Sequence, residues 1–369
     1  MQVNNVAIIG AGLLGRLLAW RLLEAGHKVS LYDKDDKSGQ QSAAYAAAAM
    51  LAPITEVLDA EPEVYTHGIA GLSIWRQWVA ELEAATAINI SFAVKGSLLL
   101  SHRHDMGDYQ RCVQRIRANP VVDQTSVESI NNTELKALEA ELATGFDKAL
   151  YLQEEGSLDN WALLKALQKR IEDLGGQWFE HTAFEQVNDA VIAEHFFDFD
   201  KVLDCRGTAA KTDEKDLRGV RGEVIRVRAS EVNLTRPVRL MHPRYKLYIA
   251  PKPNNEYVIG ATEIESESEH AVTVRSSLEL LSALYSVHKG FAEAEILAQL
   301  ARCRPAYSDN MPKIEYSESG AKLIRINGLY RHGYLLSPVV VNETLSLFAL
   351  ENSTWPEIIQ VTAQQGLTA

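Results

Sequence analysis

Apolar and polar positions along the chain change period in a way that predicts alternating strands and helices, then an antiparallel sheet. Val6 to Ile9 form a short continuous apolar run and are followed by Gly10, Gly12 and Gly15. Leu14, Leu17, Leu18 and Leu22 recur at helical spacing until Gly26, where the helix should stop. A second apolar run, "KVSLYD", ends on Asp33. Glu63 to Leu82 reads as an amphipathic helix with Ile69, Leu72, Trp75, Trp78 and Val79 on overlapping faces, the two tryptophans as core. Residues 87–142 mix a strand-like "GSLLLS" with charged helical segments. From 158 onward, "NWALLKALQKRIEDLGG" predicts a helix closed by Gly175 and Gly176, "QWFEHTAFEQV" a strand, and "DKVLDCRG" a short buried strand that adds a parallel member to the first sheet.

Residues 220–262 read differently. "GEVIRVRA", "YKLYIAP" and "YVIGAT" have the shape of antiparallel strands, with Asn254 and Asn255 as a hairpin turn because asparagine tolerates positive φ. In the first strand of that hairpin Lys246, Tyr248 and Ala250 share one face, and Tyr245, Leu247 and Ile249 the other. The tyrosine–lysine face suits a polar pocket or a half-buried sheet equally well. A helix follows from about Val274 to His288.

Composition narrows the setting. The chain has 369 residues, 46% of them hydrophobic, enough for two domains or one large interleaved one. A formal charge of -12 without a clustered Lys/Arg stripe argues against nucleic acid. Cys112, Cys205 and Cys303 are too scattered for a disulfide framework or a metal site and fit a reducing cytoplasm. His102 and His104 in "SHRHD" have no completing ligands and read as a solvated strand end. Arg16, Arg21 and Glu24 break the first apolar helix, so neither a membrane span nor a signal peptide is expected.

The glycine cluster carries chemistry because strand, GxGxxG, helix, strand and terminal acid occur in order. Gly10 would permit the tight turn, Gly12 would let backbone approach a pyrophosphate, and Gly15 would let helix and sheet pack closely. Asp33 stands where a carboxylate can accept from a ribose hydroxyl. This motif alone leaves nicotinamide and flavin dinucleotides open. The run "AAYAAAAMLAP" has the propensity of a plain helix, but its place after the second strand is where small residues would let backbone lie against a planar flavin.

Taken together, "VAIIGAGLLG" with Asp33, "AAAAMLAP", "VRGEV", "RYKLYIAPK" with "YVIGAT", "RCRPAYSDNMPKI" and "GLYRHGYLLSP" resemble the D-amino acid oxidase-like flavoprotein family, and within it the glycine oxidase branch of thiazole (thiamine) biosynthesis. The resemblance covers nearly the whole chain. It implies an α/β fold, α+β overall, in which a Rossmann-like FAD-binding domain (residues 1–86, 143–217 and 300–369) is interleaved with a second domain on a mostly antiparallel sheet (87–142 and 218–299). It also implies non-covalent FAD, a small amino-acid substrate and O2, with no nucleic acid or membrane partner; a homo-oligomer is compatible with it.

Carried over by position, the resemblance places Arg304 and Tyr248 on the substrate carboxylate, with Arg331 lining the pocket. Family flavin-contacting positions fall on Gly10, Gly12, Leu13, Leu14, Gly15, Asp33, Lys34, Ala48, Ala49, Met50, Val187, Leu329, Tyr330, Arg331, His332, Gly333, Tyr334 and Leu335. A helix beginning near Leu335 would point its positive end at the flavin pyrimidine edge. The implied chemistry needs no side-chain base: hydride leaves Cα for the flavin, O2 becomes H2O2, and the imine is hydrolysed. Departures from the family pattern are Ala49 for a common glycine, Leu329 and His332 for histidine and asparagine, Lys246 for histidine and Glu263 for methionine. Cys303, near a position that is flavin-linked in sarcosine oxidases, is expected to be inert. D-amino acid or sarcosine oxidation, and a non-oxidase flavoprotein such as a hydroxylase or a maturation partner, are the competing readings; a nicotinamide dehydrogenase is a third.

Overall fold

The computed structural model describes residues 3–241, 247–317, 322–349 and 353–362. The apolar run after the N-terminus is the strand Asn5–Ile9, central in a seven-stranded sheet. Its neighbours Lys28–Tyr32 and Lys201–Asp204 both run parallel to it, with Ile8 opposite Leu31 and Leu203. Gln177–Phe179 forms one edge, and Leu323–Asn327, Lys313–Ser317 and Ile359–Thr362 extend the other. Strands buried on both faces explain why Val6, Ala7, Ile8 and Leu31 are all apolar and inaccessible rather than alternating.

The expected strand at "QWFEHTAFEQV" is much shorter than its pattern. It leaves the sheet after Phe179 because His181 and Thr182 donate instead to the carbonyls of Asp35 and Asp33, at 3.3 and 2.7 Å. This pulls the chain against the acidic loop that follows the second strand.

The second sheet has eight strands in the order Glu295–Ala306, Arg218–Arg228, Glu256–Gly260, Leu247–Lys252, Val238–Met241, Ser97–Ser101, Lys148–Leu152 and Val127–Asn131. All neighbours are antiparallel except Val238–Met241 beside Ser97–Ser101. The Asn254–Asn255 hairpin forms as its residues require, with φ of 60° and 55°. By sheet membership, Lys148–Leu152 and the part of Glu295–Ala306 from residue 300 onward, both expected in the FAD-binding domain, belong to the second sheet.

Two helices frame the junction of the sheets. Pro62–Thr86 buries Leu72, Trp75, Trp78 and Val79, and Gly333–Ala349 crosses it closely. A Cβ on Gly71 would overlap the carbonyl oxygen of Leu335, and the Trp75 indole donates to the carbonyl of Tyr334 at 2.6 Å. The C-terminal helix therefore starts at Gly333, two residues earlier than its apolar run suggests, after a 3-10 turn at Tyr330–His332. None of the helices among the described residues is long and apolar enough to cross a membrane.

Candidate active site

A cavity of about 350 Å³ runs between the two sheets, from the glycine loop to Tyr248, Arg304 and Arg331. At the first end, Gly10 sits at φ +97° and a Cβ there would lie 2.5 Å from the carbonyl oxygen of Cys205. A Cβ on Gly15 would overlap the Gly10 carbonyl, so these two glycines serve the tight turn and close packing. Gly12 differs: an added Cβ would meet only the Ser42 Cβ, at 4.0 Å. The loop thus presents bare backbone and the start of the helix Leu13–Glu24 to open space, which could hold a pyrophosphate.

Asp33 lines the same end. One carboxylate oxygen accepts from the Ala11 amide and the other from the Asp35 amide at 2.8 Å. Beneath the loop the buried Arg16 guanidinium donates to the carbonyls of Ala11 (2.7 Å), Leu164 (3.1 Å) and Lys37 (2.8 Å). Burial lowers its pKa to about 10, against the opposing pull of Asp33, so it remains a fixed cation at neutral pH.

The alanine run forms the middle wall. It is helical only over Ala43–Ala46; Ala47 is extended and Ala49 sits at φ +50°. Tertiary bonds overrule its helix propensity. The Ala44 carbonyl accepts from Tyr334 Oη at 3.0 Å and from Asn160 Nδ2 at 3.2 Å, and the Tyr45 carbonyl accepts from Asn160 Nδ2 and Trp161 Nε1 at 2.8 and 3.0 Å. Lys252 Nζ reaches the Ala48 carbonyl at 2.6 Å and the Leu158 carbonyl at 2.5 Å. Burial pushes the Lys252 pKa down to about 7; Asp159 opposes this and Arg226 adds to it. The positive φ of Ala49 is one that an alanine adopts only with strain.

At the far end the arginines divide into two kinds. Arg331 Nε donates to Glu56 Oε2 at 2.8 Å, and its other nitrogens lie 3.3 Å from Glu263 and 3.4 Å from Asp59. Glu56 also receives Arg239 at 3.2 Å, and His332 Nδ1 lies 3.2 Å away. Burial alone would raise the Glu56 carboxyl, but Arg331, His332 and Arg239 hold it well below the usual range. Glu263 further accepts from Tyr330 Oη. Arg304 is different. Among the described residues it makes no carboxylate pair, and its two terminal nitrogens share the Thr262 carbonyl at 3.3 Å. Tyr248 lines the cavity with it, its phenol pushed up by burial despite Arg304, so it stays a donor at neutral pH.

The structure thus gathers Tyr248, Arg304 and Arg331 with Gly10, Gly12, Leu13, Leu14, Asp33, Lys34, Ala48, Ala49, Met50 and Leu329 to Leu335 around one cavity. Val187 stands apart: its amide donates to Asp213 at 2.9 Å and its carbonyl accepts from Arg325 at 2.7 Å, while Thr182, Ala183 and Phe184 line the wall. Gly15 lies under the loop rather than on the cavity. Glu263 is at the mouth; Lys246 lies outside the described residues. Cys303 borders the cavity, but its Sγ faces the carbonyls of Ser266 and Ser268 at 3.7 Å and burial raises its pKa, which keeps it a thiol. Sequence reasoning missed Arg16, Glu56, Arg239 and Lys252. Each is a charge to which no motif assigns a role, and only the fold reveals its partners.

With this geometry, residues 5–343 match the FAD dependent oxidoreductase family, and the chain belongs to it. It is an oxidoreductase, and its cofactor is FAD. A Rhizobium etli protein bearing the name thiamine biosynthesis oxidoreductase ThiO is 36% identical over 339 residues, 92% of this chain and 94% of that one. A glycine oxidase of Geobacillus kaustophilus is 26% identical over 356 residues, 91% and 90% of the two chains. The crystal structure of glycine oxidase from Geobacillus kaustophilus superposes with a TM-score of 0.79 at 23% identity over 96% of each chain, which establishes the shared fold.

Proposed function

We propose that this protein oxidises glycine or another small amino acid, as part of thiamine (thiazole) biosynthesis in the cytoplasm, with O2 as acceptor. The observation that carries this reading is the contrast among the cavity arginines. Arg331 and Arg239 are neutralised by Glu56, Asp59 and Glu263, whereas Arg304, among the described residues, offers its planar fork with only a shared carbonyl as partner. A carboxylate suits that fork because two parallel charge-assisted bonds can replace two long ones. Tyr248 donates a third. Arg331 is then a positioning residue that ties Glu56, Glu263 and the Tyr330–His332 turn into one wall.

The glycine loop and the alanine run would hold FAD, which would supply two-electron oxidation at the substrate Cα with O2 as final acceptor, giving H2O2. The chain's residues bind the carboxylate, orient Cα and leave the amine unprotonated, and no side-chain base is assigned. The free imine then takes up water to give the 2-oxo acid and ammonia, or is itself the useful product in thiazole synthesis. The names of the Rhizobium etli and Geobacillus kaustophilus relatives support this reading. A peroxide assay of the FAD-loaded protein against glycine, sarcosine, D-alanine and ethylamine tests it. Turnover should be confined to the small amino acids; equal turnover of ethylamine would remove the need for a carboxylate site.

A further inference from the structure

The carboxylate-facing side chains stand on a floor of missing side chains. Arg304 is paired across the sheet with Val220, yet its guanidinium lies two residues further along, over Gly222. A Cβ on Gly222 would lie 2.6 Å from Arg304 Nη1 and nearer still to Cζ and Nη2. Tyr248 is paired with Gly260, where a Cβ would lie 2.9 Å from the Tyr248 hydroxyl and 2.8 Å from Val224 Cγ1. Gly222 does not adopt a positive φ, so the backbone there tolerates alanine. What it does not tolerate is volume. The atoms in the way at Gly222 are the far end of a long flexible side chain, so an added methyl group would displace the guanidinium rather than the sheet.

We infer that Gly222 is a specificity-determining position for this oxidation: its missing Cβ seats the Arg304 guanidinium against the sheet and so fixes where a substrate carboxylate can bind, with Gly260 doing the same for Tyr248. The inference rests on the proposed reading that Arg304 receives the carboxylate. It also gives the "VRGEV" segment a physical reason, since Gly222 lies between two well-buried strand neighbours, Arg221 and Glu223, whose own charges pair with each other across 2.9 Å. The seat has room for nothing larger than hydrogen, and the width of the clamp follows from it. A guanidinium lifted off the floor by a methyl group would project further into the cavity, where a carboxylate attached to a short chain would no longer reach both arginine and tyrosine in one pose.

The test uses the FAD-loaded protein and acetate, a carboxylate that cannot be oxidised at an amine, titrated against the visible flavin band. Gly222→Ala should weaken acetate binding at least tenfold and raise KM for glycine by a similar factor, while FAD content and the thermal midpoint stay near wild type. Arg304→Ala should do the same. Adding Gly222→Ala to Arg304→Ala should weaken acetate less than twofold further, because the seat acts only through the arginine. If Gly222→Ala binds acetate as wild type while Arg304→Ala does not, the seat is wrong and the carboxylate reading stands. If both single variants bind acetate as wild type, the carboxylate reading itself fails. Additive losses in the double variant would show a second route and overturn the seat as well. Should Gly222→Ala not retain FAD, Gly222→Ala/Arg304→Ala, which removes the side chain in the way, should retain it again; a double variant that still loses FAD would overturn the seat.

Discussion

At Ala49 several effects of similar size compete. Its φ of +50° costs an L-residue roughly 1–2 kcal/mol. Glycine would relieve that strain but lose a buried methyl, about 0.8 kcal/mol, and regain backbone freedom worth roughly 0.5–1 kcal/mol in the unfolded chain. These nearly cancel, so Ala49→Gly should leave the thermal midpoint within about 2 °C of wild type. Ala49→Val adds a β-branched side chain at the same φ and crowds the cavity wall. It should cost on the order of 2 kcal/mol and weaken FAD binding. Differential scanning fluorimetry with flavin fluorescence checks both; a valine variant as stable as wild type would contradict the strained, packed placement of this residue.

The hairpin Leu247–Lys252 and Glu256–Gly260 shows what an element adds to its residues. Its strands and its Asn254–Asn255 turn were legible because alternation and turn chemistry are local. The destination of Lys252 was not, since its partners Ala48 and Leu158 come from distant segments. Burial lowers its pKa from the ordinary lysine value near 10.4 to about 7. Between these values the unfolded chain binds a proton that the folded chain has released, so this group makes stability rise with pH from about 7 toward 10. Measured by thermal or urea unfolding, wild type should therefore gain on Lys252→Met across that range and show no such relative gain below pH 6. A difference that is flat from pH 6 to 10 would mean the amine is solvated. The alanine run failed in the opposite way: its propensity is helical, but bonds from Asn160, Trp161 and Lys252 to its carbonyls end the helix at Ala46.

In the whole molecule, two sheets meet along one cavity, and the order of the motifs was enough to anticipate both sheets because each block carries its own period. The charge pairing inside the cavity was not legible: Glu56, Arg239 and Arg331 are separated by up to 275 positions and meet only in the fold. Cys303, turned toward backbone carbonyls and held as a thiol, predicts that acid precipitation releases all flavin into the supernatant; yellow colour in the pellet would contradict this. The central claim is that Arg304 holds a substrate carboxylate beside bound FAD. Losing a charge-assisted partner costs about 2–5 kcal/mol, thirtyfold or more in affinity at roughly 1.4 kcal/mol per tenfold. The most direct measurement is anaerobic bleaching of the flavin band by glycine in wild type, Arg304→Lys and Arg304→Ala, each with full FAD. Half-saturation should rise in that order, by about thirtyfold or more for alanine, because lysine keeps the charge but loses the fork. Bleaching of Arg304→Ala at wild-type glycine concentrations would contradict the account.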